Sequence, residues 1–354
     1  MSPATGLPDL EAMVAEMEQA PEIVRPSAYW EFLNGLNLAQ LGDSGFERFK
    51  RTVNQNYFNW PTRHLRDEQF RAVARHWLRR PAPRIFSARL ADAGAIEVGG
   101  DREEMLQSRS SRLAYAVYVA LFWERVRAVD RLRLLDVLEE PELGAPVSVL
   151  YRGRRISQDL CNSVLEFYSV ADALPSGALD GSRILELGPG YGRVAWVYLT
   201  AVPGCRYVLC DIPPALAVAQ EYLTRLFPER RAFRFRHFDS HAEVAAELDD
   251  AELAFLTPNQ LDLIDPAGAT LFLNISSLHE MRPDQIAHYI GQVGRHTAPG
   301  GWFYSKQWIR SLNPHDNLVI ERDDYPIPPE WETVYDRRHP VQRQFFEALY
   351  RLPR

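Results

Sequence analysis

The stretch Ile184-Leu185-Glu186-Leu187-Gly188-Pro189-Gly190-Tyr191-Gly192-Arg193 restricts the fold of this chain more than any other. An apolar run with an acid near its end passes into three alternating glycines, then into Val194, Trp196, Val197, Tyr198 and Leu199. The pattern predicts a buried strand, a tight turn and the start of a helix. Glycine takes positive φ without strain, and its missing Cβ lets a ligand approach the backbone. The helix N-terminus behind the turn offers free N–H groups and partial positive charge. Such a turn receives a nucleotide-like ligand.

The following residues supply the rest of a sheet. Tyr207-Val208-Leu209-Cys210 reads as a second strand ending at Asp211, and Pro213-Pro214 suits a first helical turn before Leu216, Ala219, Leu223 and Leu226. Leu271-Phe272-Leu273-Asn274-Ile275 is a continuous buried strand, and Pro299-Gly300-Gly301 turns the chain into another at Trp302 to Ser305. Two stretches compete for the third strand. Phe233 to Phe238 alternates, whereas Leu253 to Leu256 is a plain apolar run, preferred because Leu261 to Ile264 then gives a short link onward. Strands alternating with helices imply an α/β fold with a parallel, Rossmann-like sheet covered on both faces.

Residues 1–150 read as a mostly helical N-terminal domain. Glu11 to Ala20 suggests a short exposed helix. Phe46 to Phe58 mixes aromatic and polar side chains, which suits either a surface helix with buried rings or a wall facing a polar ring such as a sugar. Asp67 to Leu78 has core spacing, and Gly94, Gly99 and Gly100 mark a loop. Leu113 to Val129 is apolar on nearly every face at first, so it is buried by other helices or by a second subunit in a homodimer. The turn-rich Leu138 to Pro146 places a boundary near residue 150, between a cap, substrate or dimerisation domain (1–150) and a cofactor domain (151–354). Arg152, Arg154 and Arg155 form either a solvated loop or a cradle for an anion.

Charge and composition narrow the partners. Over 354 residues the net charge is -7, which argues against a general nucleic-acid surface. The longest apolar run, Leu113 to Trp123, falls far short of the ~20 residues of a membrane span. Cys161, Cys205 and Cys210 form no C-x-x-C pair, and the acidic N-terminus does not read as a signal peptide, so a reducing cytoplasm is expected. Lys50 and Lys306 are the lysines of an arginine-rich chain, a bias associated with GC-rich bacterial genomes. His237 and His241 are four apart, but Asp239 and the strand pattern speak against a helical metal pair, and no metal is expected.

Asp211 follows the glycines by about 20 residues, the position from which an acid holds the ribose hydroxyls of an adenosine. That suits either NAD or S-adenosylmethionine. The spacing is G-x-G-x-G rather than G-x-G-x-x-G. Glu186, two residues before the first glycine, would repel a pyrophosphate and attract an ammonium or sulfonium. Glu-Leu-Gly-x-Gly-x-Gly resembles motif I of class I SAM-dependent methyltransferases. The resemblance implies that Glu186, Gly188, Gly190 and Gly192 border the methionine half of S-adenosylmethionine, that Asp211 holds the ribose and that Ile212 packs on the adenine. The adenine edge falls to Asn259, or to Asp239 on the other strand assignment.

In this architecture the exit Asn274-Ile275-Ser276-Ser277-Leu278-His279-Glu280-Met281 faces the methyl donor, with Ser276 beside it. A hydroxyl acceptor benefits from a general base, and His279 or Glu280 is the candidate. Lys306 is the candidate to anchor an acidic group or lower a hydroxyl pKa. Phe49 to Asn54, Glu140 to Gly144, Gly153 to Ser157 and Ser277 to Met281 resemble blocks of the sugar O-methyltransferase family of bacteria. The resemblance covers the chain from about residue 28 onward. It implies O-methylation of a sugar or sugar-bearing small molecule; carboxylate or N-methylation and NAD-dependent oxidoreduction are the alternatives.

Overall fold

The computed structural model describes residues 5–57, 68–79, 81–92, 96–98, 101–103, 108–313 and 315–354. The expectations for Phe58, Asp67, Gly94, Gly99 and Gly100 lie outside these residues. The chain forms two compact units: Met1–Gly6, Leu36–Asp172 and Pro340–Arg343 make the first, and Leu7–Gly35, Ala173–His339 and Gln344–Arg354 the second. Helix α1 (Leu10–Gln19) belongs to the second unit, and α2 (Ala28–Ser44) runs from the second into the first.

The first unit adds α3 (Val53–Tyr57), α4 (Glu68–Arg79), α5 (Arg109–Arg127) and α6 (Gln158–Ala171). Its short strands are β1 (Arg89–Leu90), the hairpin β2 (Ile96–Val98) and β3 (Asp101–Glu103), β4 (Val149–Tyr151) and β5 (Arg154–Ile156). Helix α5 is the centre: Tyr118 to Trp123 and Val126 are buried, with α4, α6 and β4 packed on it. These side chains are thus covered within its own unit, whereas Leu113 at the start of the helix is 53% exposed. The Leu138 to Pro146 stretch does not separate the units, because hydrogen bonds pin it inside the first. The Lys50 N–H donates to the Gly144 carbonyl (3.0 Å), and the Glu140 N–H to the Arg155 carbonyl (2.9 Å). The division falls after Asp172 instead of near 150.

The second unit is built on an eight-stranded sheet: β6 (Arg183–Leu187), β7 (Arg206–Cys210), β8 (Ala232–Phe233), β9 (Leu253–Leu256), β10 (Ala269–Ile275), β11 (Thr297–Trp308), β14 (Glu332–Arg338) and β15 (Phe345–Arg351). A separate hairpin, β12 (Arg310–Asn313) and β13 (Leu318–Glu321), follows β11. Across the sheet the order is β8-β9-β7-β6-β10-β11-β15-β14. Pairing is parallel from β8 to β11, and β15 is antiparallel to both neighbours. Its centre therefore has the 3-2-1-4-5 order of a doubly wound α/β sheet. The third strand is β9, beside β7; of the alternating stretch Phe233 to Phe238 only Phe233 pairs, together with the preceding Ala232, on the outer edge.

The crossover helices are α7 (Arg193–Ala201), α8 (Ala215–Leu226), α9 (Ala245–Asp250), α10 (Pro258–Leu263) and α11 (Pro283–His296). On one face Ile286, Ile290 and Val293 of α11 bury against Phe272, Phe303 and Phe346. Met17, Ala20 and Val24 join the same core, so α1 is not simply an exposed helix. On the other face, a Cβ on Gly192 would fall 2.8 Å from the Cδ1 of Leu223 in α8. Chain order reverses between β6 and β10, and their carboxyl ends form the crevice where such sheets bind ligands.

Candidate active site

The carboxyl edge collects the glycine turn and Asp211. Gly188, Gly190 and Gly192 have φ of 71°, 58° and 84°, the left-handed region that glycine enters without strain. A Cβ on Gly188 would lie 2.4 Å from the Ser277 hydroxyl oxygen, so the first turn and the β10 exit touch only because it is absent. Gly192 caps α7. The Gly190 N–H donates to Asp211 Oδ2 (2.9 Å) and the Ile212 N–H to Oδ1 (2.8 Å). Loss of surrounding water pushes the Asp211 carboxyl up to about 7; these two N–H groups oppose the rise, and the charge of Glu280 adds to it. Glu186 is buried, with the Tyr207 hydroxyl donating to its Oε2 (2.7 Å).

At the β10 exit, Ser276 adopts φ 61° and donates its N–H to the Lys306 carbonyl (2.8 Å). A hydrogen-bonded chain then fixes His279. Asn274 Nδ2 donates to the Leu187 carbonyl (2.9 Å), so Asn274 Oδ1 is the acceptor that meets the Leu278 N–H (3.3 Å) and Gln307 Nε2 (2.5 Å). Gln307 Oε1 is then left to accept from His279 Nδ1 (3.0 Å). Nδ1 therefore carries a proton, and Nε2 faces Glu280 Oε1 at 3.5 Å. The pair differs in access: the His279 side chain is 2% exposed and that of Glu280 19%.

Lys306 is also 2% exposed, its ammonium 5.1 Å from the Phe345 ring centroid and its residue paired in register with the buried Glu347. It is thus no surface lysine. Asn259, at the start of α10, donates to Glu16 Oε1 (2.8 Å), and its own Oδ1 is buried without a hydrogen-bond partner among the described residues. Asp239 is exposed beside His237. Ile212 is half-buried against the sheet core.

Two contributors escaped the sequence reading. Glu16 of α1 takes hydrogen bonds from Asn259 and from His237 Nδ1 (2.8 Å). Its one sequence signal is an acid set within the apolar stripe Met13, Met17 and Ala20. Tyr29, whose neighbour Asp316 caps the head of α2 (3.1 and 3.3 Å to the Ala28 and Tyr29 N–H groups), stands near Glu280, whose charge adds to the burial that raises its phenol. The arginines of the 152–155 loop meet carboxylates: Arg152 Glu124 (2.8 Å), Arg154 Glu139 (3.2 Å) and Arg155 Glu142. Among the described residues no group of His, Cys, Asp and Glu suits a metal ion, and no helix is long and apolar enough to cross a membrane.

No protein-family model matches the chain, and no curated protein matches it. Solved structures similar to it include a proposed sarcosine dimethylglycine methyltransferase from Galdieria sulphuraria, at 12% identity over 55% of this chain and 86% of that one, TM-score 0.38. The pyocyanin biosynthetic protein PhzM is 15% identical over 55% of this chain and 56% of its own, TM-score 0.38. A SAM-dependent methyltransferase from Aquifex aeolicus is 11% identical over 53% and 89%, TM-score 0.36. At this distance the chemistry has to be read from the chain's own residues.

Proposed function

We propose that the chain is an S-adenosylmethionine-dependent O-methyltransferase acting on a hydroxyl of a sugar or sugar-bearing small molecule. The observation that carries the reading is the bond from the Gly190 N–H to Asp211, which makes the glycine turn and the ribose acid one structure. The residues fit the cofactor. Asp211 would take the ribose hydroxyls, Ile212 would lie against the adenine, and the unpartnered Asn259 Oδ1 suits the adenine amino group. Gly188, Gly190 and Gly192 would border the methionine half with Ser276. Glu186 puts negative charge behind the turn, which favours a cationic ligand over the pyrophosphate of NAD. When bound, S-adenosylmethionine supplies an electrophilic methyl group on a sulfonium.

Glu280, the more exposed of the pair, is the group that touches the acceptor and takes its hydroxyl proton. His279 Nε2, 3.5 Å behind, shares that proton, so the charge that forms is a carboxylate–imidazolium pair rather than a lone buried acid. Gln307 and Asn274 hold the ring so that Nε2 is the nitrogen that accepts. Lys306, buried opposite Glu347, would balance charge there rather than take the proton. An anionic acceptor would need an uncommitted cation, and the loop arginines already face carboxylates.

Calorimetry with S-adenosylhomocysteine and with NADH tests the cofactor. We expect the first to bind and the second not to; binding of NADH alone overturns the reading. Extracts incubated with methyl-labelled S-adenosylmethionine, then searched by mass spectrometry for a labelled hydroxyl, test the acceptor. Label on a carboxylate or amine would replace the O-methyl reading.

A further inference from the structure

We propose that a cavity in the second unit, lined by Asp323, Asp336, Tyr325, Phe346 and Tyr350, is a binding site for a small organic cation, an alkylammonium or a guanidinium. Such a site stands whether or not the chain binds S-adenosylmethionine.

The sheet makes the hollow. Asp336 of β14 lies opposite Ala348 of β15, and Ala348 lies opposite Ser305 of β11, so the three share one face. The short side chain of Ala348 rises little from that face, while Phe346 and Tyr350, two residues to either side on β15, rise beside it. The remaining walls come from Arg322 to Ile327, after β13, and from Ile290 of α11. They leave a cavity of about 260 Å³. That is just under the usual range for small-molecule pockets, about 300–1,000 Å³, so the ligand it suits is a small one.

The lining already holds one cation. The Arg322 guanidinium pairs with Asp336 and lies over the Phe346 ring, 5.4 Å from its centroid. Burial, then the charge of Asp336, push the Tyr350 phenol up to about 12 against the opposing pull of Arg322, so Tyr350 meets the same pair as a neutral group. A carboxylate with ring faces beside it is the chemistry that holds an organic cation.

Charge and hydrogen bonding select the ligand. Among the described lining residues Arg322 is the one cation and is matched, whereas Asp323 has no ion pair among the described residues. Acid is thus in excess, and an anion is disfavoured. Tyr325 is 9% exposed, and its hydroxyl is buried without a hydrogen-bond partner among the described residues. Carboxylates only accept and a phenol oxygen can accept, so the complement of this lining is a set of donors. A metal ion would draw on oxygens and gain little from the rings, and among the described residues no group of His, Cys, Asp and Glu suits one. An ammonium or guanidinium brings N–H donors, positive charge and affinity for ring faces together.

The test uses the full-length chain without cofactor, carrying 13C-labelled isoleucine methyl groups. Ile290 and Ile327 line the cavity, and their signals are assigned with Ile290→Val and Ile327→Val. They are followed by NMR at low ionic strength during titration with putrescine, agmatine and ethanolamine, with sodium acetate, magnesium chloride and inositol as controls. We expect saturable shifts of both methyl groups with at least one of the three cations and with no control. Asp323→Asn, at an exposed side chain, should weaken that binding about ten-fold. Arg322→Gln should tighten it, because it frees Asp336 and the face of Phe346. Circular dichroism checks that each variant is folded. Absence of saturable shifts with all three cations, or shifts with acetate, magnesium or inositol, overturns the proposal. A folded Asp323→Asn chain that binds as the wild type does, or a folded Arg322→Gln chain that binds no more tightly, also overturns it. If the variants do not fold, the wild-type titration decides alone.

Discussion

Asp211 answers two opposed demands. On the proposed function its carboxyl must be ionised to accept two ribose hydroxyls, yet its surroundings raise it from 3.8 to about 7. Between those values the folded chain holds a proton that the unfolded chain has shed. The stability this group contributes is therefore full below about pH 4 and is lost as pH rises through 7. Ribose hydroxyls favour the ionised form, so binding near neutrality should release a proton. We expect affinity for S-adenosylhomocysteine to rise from about pH 6 to about pH 8, with proton release seen by calorimetry in buffers of different ionisation enthalpy. A flat profile without release would remove Asp211 from the ribose. Gly188→Ala should lower stability by about 1–3 kcal/mol in thermal unfolding, because φ is 71° and the new Cβ would meet Ser277. It should also abolish cofactor binding. Both positions were legible because a left-handed turn and a strand-end acid demand particular residue types. Glu16 was not, because its bond to Asn259 spans 243 residues and leaves no local pattern.

At the scale of elements, the β10 exit works as a unit with the end of β11. The register that pairs Asn274 with Ser305 and Ile275 with Lys306 brings Gln307 to Asn274 and so sets the ring of His279. Gln307→Met removes the acceptor for Nδ1 without adding charge. We expect nitrogen NMR of labelled histidine to show a single Nδ1–H tautomer for His279 in the wild type and a mixture in the variant. A mixture in both would break the relay. With an acceptor in hand, Glu280→Gln should lower kcat at least about a hundredfold with little change in cofactor affinity, since a positioned base contributes on that order. An unchanged rate would exclude Glu280 as the base. The strands themselves were readable from apolar runs, and β9 could be chosen over the Phe233 stretch from link length. The His279–Gln307 contact was not readable, because it depends on how two parallel strands align across 28 residues of chain.

The whole molecule is threaded less simply than its sequence suggests. A boundary near 150 would let residues 151–354 fold as a free-standing domain. That fragment would lack Leu7–Gly35, which belongs to the same compact unit, and would carry α6, which belongs to the other. Met17, Ala20 and Val24 lie in one core with Phe272, Phe303 and Ile290, and Gln285 Nε2 donates to the carbonyls of Ile23 (3.1 Å) and Arg25 (2.7 Å). The turn-rich 138–146 stretch looked like a linker because Pro and Gly mark any irregular segment, including one bonded into a core. Loss of buried Met17 and Val24 alone should cost about 2–5 kcal/mol, a large part of an ordinary domain's stability. We therefore expect the 151–354 fragment to lack a cooperative urea transition. The full chain lacking only residues 1–26 should keep a transition for the first unit and lose the one that S-adenosylhomocysteine shifts. A 151–354 fragment that unfolds cooperatively and binds S-adenosylhomocysteine would show that α1 is dispensable to the sheet.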